Sequence, residues 1–260
     1  MNTNPRKYTI QLPHIKGTVT LSDEIIAAVR AFFDAKPEAR QFLDDGDLEK
    51  LYALWTWEMG SPHQLTSVLL VAGIDVLDSV FSVPELCFAF LDGITSVQIP
   101  EGIKDIGSYA FEYCANLKKL AVPDSVTTIG VSAFQDCTSL ESIELPGVDH
   151  ILSDAFAKCA KLKSVKFSDM LESIDSGAFH SCTSLHRVDF PDTLERINKE
   201  AFAYCPLYSV FIPENVDYIG SRAFIGSICK LDVACAADEK PSGWEDDWVV
   251  GTYEVVWDCE

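Results

Sequence analysis

Basic residues are scarce in this chain. Twenty Lys and Arg stand against forty Asp and Glu, a formal net charge of −20 at pH 7, and such a field repels phosphate backbones and anionic lipid surfaces. Nucleic acid and membrane are therefore excluded as leading partners. The deficit is distributed, with 7 basic against 13 acidic residues in 1–92, 12 against 19 in 93–235 and 1 against 8 in 236–260. Long uncharged runs are missing too: the most apolar stretch, Leu65 to Val83, is broken by Asp75 and Asp78 and falls short of the roughly 18 residues a membrane span needs. Met1 to His14 lacks the apolar segment of a secretory signal, so a cytoplasmic location is expected. No Cys-x-x-Cys pair occurs among the nine cysteines, which removes zinc ribbons and thioredoxin-like redox sites. Gly-rich phosphate loops, Gly-x-Ser-x-Gly elbows and His-Glu-x2-His are absent as well.

What is present is a repeat. Cys114, Cys137, Cys159, Cys182 and Cys205 are spaced 23, 22, 23 and 23 residues apart. Each follows an Ala-Phe pair, at Ala110-Phe111, Ala133-Phe134, Ala155-Phe156, Ala178-Phe179 and Ala201-Phe202, with a sixth pair at Ala223-Phe224 and a degenerate one at Ala89-Phe90. An Ile stands four residues before each Ala of the six good copies: Ile106, Ile129, Ile151, Ile174, Ile197 and Ile219. After each Cys comes a segment such as Leu140-Glu-Ser-Ile-Glu-Leu-Pro146, and Pro123, Pro146, Pro191 and Pro213 close these segments. A unit this short cannot bury its own apolar positions, but stacked units bury them against one another, so the pattern predicts a solenoid. The Leu-x2-h-x-h spacing puts three apolar side chains on one side of a short strand and the intervening residues on the other. Those strands, near 117–122, 140–145, 162–167, 185–190 and 208–212, are expected to form one parallel sheet of about six coils. Proline without an N–H ends each strand, and the chain returns through the Ile and Ala-Phe segment on the outer side.

These residues resemble the BspA-like leucine-rich repeat family, whose units carry the same Ile-x3-Ala-Phe-x2-Cys-x2-Leu signature with Pro after the strand. The resemblance covers about 89–235, and Lys240-Pro-Ser-Gly-Trp244-Glu-Asp-Asp-Trp248 with Val255-Val-Trp257 is similar to the tail that closes such arrays. Ser168 in place of Pro, Ser227 in place of the sixth Cys and a residue missing around Pro206-Leu207 are departures. The expected fold class is α/β, a right-handed leucine-rich-repeat solenoid with a parallel β-sheet on its concave face. The expected organisation is a mostly helical N-terminal subdomain over 1–88, the array over 89–235 and a capping tail over 236–260. The resemblance also implies adhesion and protein interaction on bacterial and protist cells, and with them a cell-surface or secreted alternative to the cytoplasm.

Residues 1–88 carry no repeat. Tyr8-Thr-Ile-Gln-Leu12 and Thr18-Val-Thr-Leu21 alternate like a hairpin around Pro13 and Gly17. Ser22 opens a helical pattern that runs through Phe33 and stops before Pro37. Leu48, Leu51, Leu54 and Trp55 give a second helix ending near Gly60, and Ser61-Pro62-His63-Gln64 starts a third as a capping box.

Cysteines at the repeat period read as an interior ladder of small hydrophobes, not as metal ligands or nucleophiles; parallel Cβ vectors also disfavour bridging between coils. Cys229, Cys235 and Cys259 lie outside that ladder. His14, His63, His150, His180 and His186 share no ligand spacing, and Asp149-His150 is expected in a turn between coils. Asp44-Asp45-Gly46-Asp47 lacks the glutamate of a full calcium loop and reads as a helix-linking turn; Glu245-Asp246-Asp247 reads as a solvated turn. No metal and no cofactor are implied. The outward strand positions form two rows: Ser96, Lys119, Ser142, Ser164, Arg187, Ser209 and Lys230 in one, and Gln98, Ala121, Glu144, Lys166, Asp189, Phe211 and Asp232 in the other. Lys119, Glu144, Lys166, Arg187, Asp189, Phe211, Lys230 and Asp232 are the candidate partner-binding residues. The expected function is a non-enzymatic protein-protein interaction module binding through this face. The alternative is a small enzyme or ligand-binding site within 1–88, with the repeats as a targeting arm.

Overall fold

The structure is a computed structural model that describes residues 6–59, 62–78, 80–226, 231–235, 239–251 and 253–257, with backbone only at 20, 62, 63, 71 and 231–233. It opens with an antiparallel hairpin, β1 (Arg6–Gln11) and β2 (Ile15–Leu21). Four helices follow: α1 (Asp23–Ala35), α2 (Pro37–Asp44), α3 (Leu48–Met59) and α4 (Pro62–Val71). Ser22 caps α1 by accepting a hydrogen bond from the Ile25 N–H at 3.3 Å, which satisfies one of the orphan donors of a helix N-terminus. Pro37 ends α1 as expected, but it also starts α2, which the periodicity did not reveal. At the first helical position the missing N–H of proline costs nothing, so one residue acts as both stop and start. The turn between α2 and α3 is the Asp44-Asp45-Gly46-Asp47 segment. Ser61 of the expected capping box lies outside the described residues. Phe32 and Trp55 meet edge to face at 4.8 Å in the helical core.

The remainder is a parallel solenoid. Its strand-face members are β3 (Ile94–Gln98), β5 (Lys119–Ala121), β7 (Ser142–Glu144), β9 (Ser164–Lys166), β12 (Ser209–Ile212), β14 (Leu231–Cys235) and β15 (Tyr253–Val256). Opposite them run the two-residue strands β4 (Asp105–Ile106), β6 (Thr128–Ile129), β8 (His150–Ile151), β10 (Ser173–Ile174), β11 (Arg196–Ile197) and β13 (Tyr218–Ile219), a continuous six-stranded parallel ladder built on the Ile column. This second ladder was not anticipated, and it places His150 in a strand, not in a turn.

Seven phenylalanines stack through the interior. From Phe88 through Phe111, Phe134, Phe156, Phe179 and Phe202 to Phe224, successive ring centroids lie 4.8–5.6 Å apart with interplanar angles of 3–8°. The first coil is thereby fixed by Cys87-Phe88. The expected degenerate copy at Ala89-Phe90 is off by two residues: Phe88 takes the interior position, Leu91 takes the cysteine position, and Phe90 is exposed. The Phe88 N–H donating to the Ala110 carbonyl at 2.7 Å repeats the Phe111-to-Ala133 bond one coil on and sets this register. At the far end Trp244 and Trp248 are buried. Trp248 meets Phe224 edge-on at 6.0 Å and 86°, and the Trp244 indole N–H donates to the Val216 carbonyl at 2.9 Å. The expected tryptophan closure of the last coil is present.

Each coil turns its outer corner through two residues of positive φ, one before the Ala and one before the Cys. Non-glycine examples include Tyr109 and Tyr113, Ser132 and Asp136, Asp154 and Lys158, and Glu200 and Tyr204, all with φ between 52° and 60°. That conformation costs an L-residue roughly 1–2 kcal/mol. It persists because it aims main-chain N–H groups at the next coil, as in Tyr109 to Val131 at 2.8 Å and Tyr113 to Gln135 at 2.9 Å.

The strand face is not one sheet. The ladders are β1-β2-β3-β5, β7-β9 and β12-β14-β15. The expected strand over 185–190 is reduced to a single bridge, Arg187 to Ser209. Beneath this interruption two coils carry aromatic residues where others carry Val122, Leu145 or Ile212. The Phe167 and Phe190 centroids lie 6.0 Å apart, wider than the ~4.8 Å of a hydrogen-bonded strand pair.

Candidate functional site

The cysteine column is structural, and its chemistry is now visible. Cys114, Cys137, Cys159 and Cys182 each donate their thiol at 3.2 Å to the carbonyl of the interior phenylalanine one coil earlier, namely Phe88, Phe111, Phe134 and Phe156. Cys205 does the same to Phe179 at 3.0 Å. That carbonyl already accepts a main-chain N–H, as Phe111 does from Cys114, so the thiol fills its second lone pair. A residue both apolar and able to donate suits this place, which is why cysteine recurs there. Burial pushes the thiols of Cys114, Cys137, Cys159 and Cys182 well above the ordinary range, the reverse of what a nucleophile needs. All seven described cysteines are buried, and Cys87 and the five of the ladder are free thiols; Cys229 and Cys259 lie outside the described residues. Ser168, the departure from proline, is buried, and its hydroxyl accepts from the Met170 N–H at 2.9 Å, so it closes its strand by a side-chain turn.

The histidines and acidic runs separate into different settings. His150 Nδ1 lies 3.0 Å from the Ser173 hydroxyl, His180 Nδ1 2.9 Å from Ser181, and His186 Nδ1 2.6 Å from its own turn's Ser184 carbonyl. Asp246 is paired with Lys240, and Asp247 with Ser221 and Arg222. The side chain of His63 lies outside the described residues. His14, unexpectedly, is brought beside Asp75 and Asp78.

The strand face presents the candidate binding residues as follows. Lys119, Glu144, Lys166, Arg187, Asp189 and Phe211 all point outward and are exposed. Register places Ser96 beside Lys119, Glu144 beside Lys166, and Arg187 beside Ser209. Lys166 Nζ lies 4.0 Å from Glu144, Lys163 Nζ donates to Glu141 at 3.1 Å, and both Nε and one Nη of Arg187 donate to Asp189 Oδ1 at 2.9 and 2.8 Å. The Lys163 hydrogen bond holds the Glu141 carboxyl below its usual range. Most charges of this face are thus neutralised within it, and at such exposure each pair is worth about 0–1 kcal/mol.

At one end the rows run differently from the expected pattern. Lys230 lies outside the described residues, and Asp232 stands beside Ser209, not beside Phe211. Ile212 pairs with Cys235 and Val210 with Val233, so Cys235 fills the last apolar strand position, and the final coil is shifted by two residues from the expected row. In that register Phe211, Ala234 and Val256 are neighbours across β12, β14 and β15. Phe211 is 40% exposed and Val256 50%, with Tyr208, just before β12, and Tyr253, the first residue of β15, at 51% and 47%. This apolar end was hidden because 253–256 carries no repeat signature; the alternation of Tyr253 to Val256 was its only signal.

A further groove, of about 650 Å³, lies between α3 and residues 82–86, lined by Tyr52, Ala53, Trp57, Pro84, Glu85 and Leu86 among others. Behind it the Tyr52 hydroxyl is 2.8 Å from Thr66 Oγ1, which is 3.4 Å from Cys87 Sγ. Burial raises both ionisable members of this trio, Cys87 to about 11. Neither is poised for acid-base or nucleophilic work.

A parallel solenoid with an exposed strand face and inert interior thiols is a leucine-rich-repeat scaffold. The BspA type leucine rich repeat region matches in six copies over 69–149 and 105–231, and the chain belongs to that family. Among solved structures, a leucine rich cell surface protein from Faecalibacterium prausnitzii is 32% identical with a TM-score of 0.58, over 65% of this chain and 46% of that one. A leucine-rich repeat protein from Eubacterium ventriosum is 26% identical with a TM-score of 0.53, over 58% of this chain and 42% of that one. The chain therefore spans less than half the length of either. No curated protein matches it. Among the described residues no helix is long and apolar enough to cross a membrane.

Proposed function

We propose that this chain is a non-enzymatic module that binds another protein through the strand face of its repeat array. Its family is one of protein-interaction scaffolds, and solenoids present extended surfaces on a rigid core. The observation that carries the reading is the outward register itself: internally neutralised charged rows lead into the exposed apolar end around Phe211. Such a surface carries little net charge and offers an aromatic side chain to bury, as interface cores do. The Faecalibacterium prausnitzii neighbour is a cell surface protein, which supports the surface setting over the cytoplasmic one. Truncating Arg187 and Phe211 together to Ala should weaken a genuine partner by at least ~2 kcal/mol in calorimetry, while Glu141→Ala changes little. Unchanged affinity in the double variant would remove the strand face from consideration.

A second reading places a ligand site in the N-terminal part, and the groove beside Tyr52 and Trp57 is the observation that favours it. Trp57 is 86% exposed at its rim, so intrinsic tryptophan fluorescence on adding a candidate ligand reads this site, with Trp57→Phe as the control.

A further inference from the structure

His14, Asp75 and Asp78 form a cluster that the repeat scaffold does not use. His14 sits in the β1–β2 turn, held by the Gln98 N–H donating to its carbonyl at 2.8 Å. Asp75 and Asp78 lie in one turn after α4, closed by the Asp78 N–H to the Asp75 carbonyl at 3.1 Å. His14 Nδ1 is 3.2 Å from Asp75 Oδ2 and also 3.2 Å from Asp78 Oδ1. The Asp75 side chain is only 3% exposed. It is aimed by two main-chain donors, His14 N–H to Oδ2 at 2.9 Å and Leu77 N–H to Oδ1 at 3.2 Å. No Lys or Arg pairs with Asp75 or Asp78 among the described residues. One ring nitrogen therefore faces two carboxylates, and a single Nδ1 proton is all it can offer them.

We propose that this trio is a divalent transition-metal site, with zinc as its best-fitting occupant. With zinc–ligand distances of about 2.0–2.1 Å, two ligands of a tetrahedron stand about 3.3 Å apart. The two nitrogen-to-oxygen separations of 3.2 Å match that edge. The metal replaces the Nδ1 proton, and one imidazole with two carboxylates is a ligand set zinc accepts. The main-chain donors on Asp75 supply the outer hydrogen bonds that fix a ligating carboxylate. Three protein ligands leave the fourth position to water, on the solvent side of exposed Asp78. Because the ligands come from the hairpin turn and from the segment joining α4 to the first coil, binding pins the sheet's N-terminal cover to the helices.

The test is a thermal melt of the full chain with zinc chloride against chelator, with cobalt absorption as the second readout. Zinc should raise the melting temperature by several degrees, and cobalt should give the intense visible bands of a four-coordinate site. Asp78→Asn, at an exposed position, should fold as before and bind zinc at least about tenfold more weakly; His14→Ala should abolish both signals. A melting temperature indifferent to zinc, or a shift that survives in both variants, would overturn the assignment. Cobalt bands showing thiolate charge transfer would do so equally, since the metal would then be on cysteine.

Discussion

The repeat array and the N-terminal helices are both packed on apolar cores, yet they are held together in different ways. In the array interior contacts recur: each phenylalanine of the stack from Phe111 to Phe202 lies between two others, and each thiol of the ladder donates to the same carbonyl one coil back. In the helical part each contact occurs once, such as Phe32 against Trp55 or Tyr52 against Thr66. Repetition makes the array's sequence readable and also makes its weak points collective, whereas the helices fail or hold one contact at a time.

Alkaline pH should break the comparison most sharply. The first 86 residues contain no cysteine, whereas Cys87, Cys114, Cys137, Cys159 and Cys182 all have thiols raised by burial. The unfolded chain loses these protons first, so their contribution is intact below the ordinary thiol pKa of about 8.5 and is lost as pH rises beyond it. The slope is about 1.4 kcal/mol per thiol per pH unit. Denaturant melts under reductant should show level stability up to pH 8 and a collapse by about pH 10. A level profile throughout would mean that the ladder ionises in place.

Next in size, Phe156→Ala should cost about 3–5 kcal/mol in a denaturant melt, because the ring is fully buried between Phe134 and Phe179 at 5.3 Å each. A cost under ~1 kcal/mol would mean the stack is not core. At the seam between the two regions, Thr66→Val keeps the shape but removes the hydroxyl that meets both the Tyr52 hydroxyl and the Cys87 thiol. About 1–3 kcal/mol is expected there by the same measurement. The smallest effect has opposite signs in the two regions. Lys158→Gly relieves a φ of 60° and should stabilise by ~0.5 kcal/mol after the loss of an exposed pair with Asp136. Ala27→Gly, inside α1, should cost about 1 kcal/mol.

The array was legible because a period of 22–23 residues is read many times over, and an error in one coil is corrected by its neighbours. Where the copies stop, the pattern misleads: it points to Ala89-Phe90 where Cys87-Phe88 takes the interior place, and it sets Asp232 beside Phe211 where the strands pair it with Ser209. In both places a nearby alternative residue satisfied the local pattern, and only the hydrogen bonds to the adjacent coil decide between them. The two-residue Ile strands escaped notice because a single apolar residue per turn has no period-2 signal. Within the helices, α2 was hidden behind Pro37, whose role as a stop masked its role as a start. The His14 cluster joins residues 61 positions apart, with no motif to connect them. The strand-face residues were legible as outward positions, while Val256 is a neighbour of that face only through a strand beyond the repeats.

The meeting of Phe224 with Trp248 at 86° has a bearing on growth. Six parallel ring contacts can each be opened to admit another coil, since the faces on either side of the insertion are identical. A perpendicular indole offers its edge to the last ring and no matching face to a newcomer. Length in this molecule can therefore change by duplication or deletion in the middle, as links are added to a chain, while both ends stay as they are.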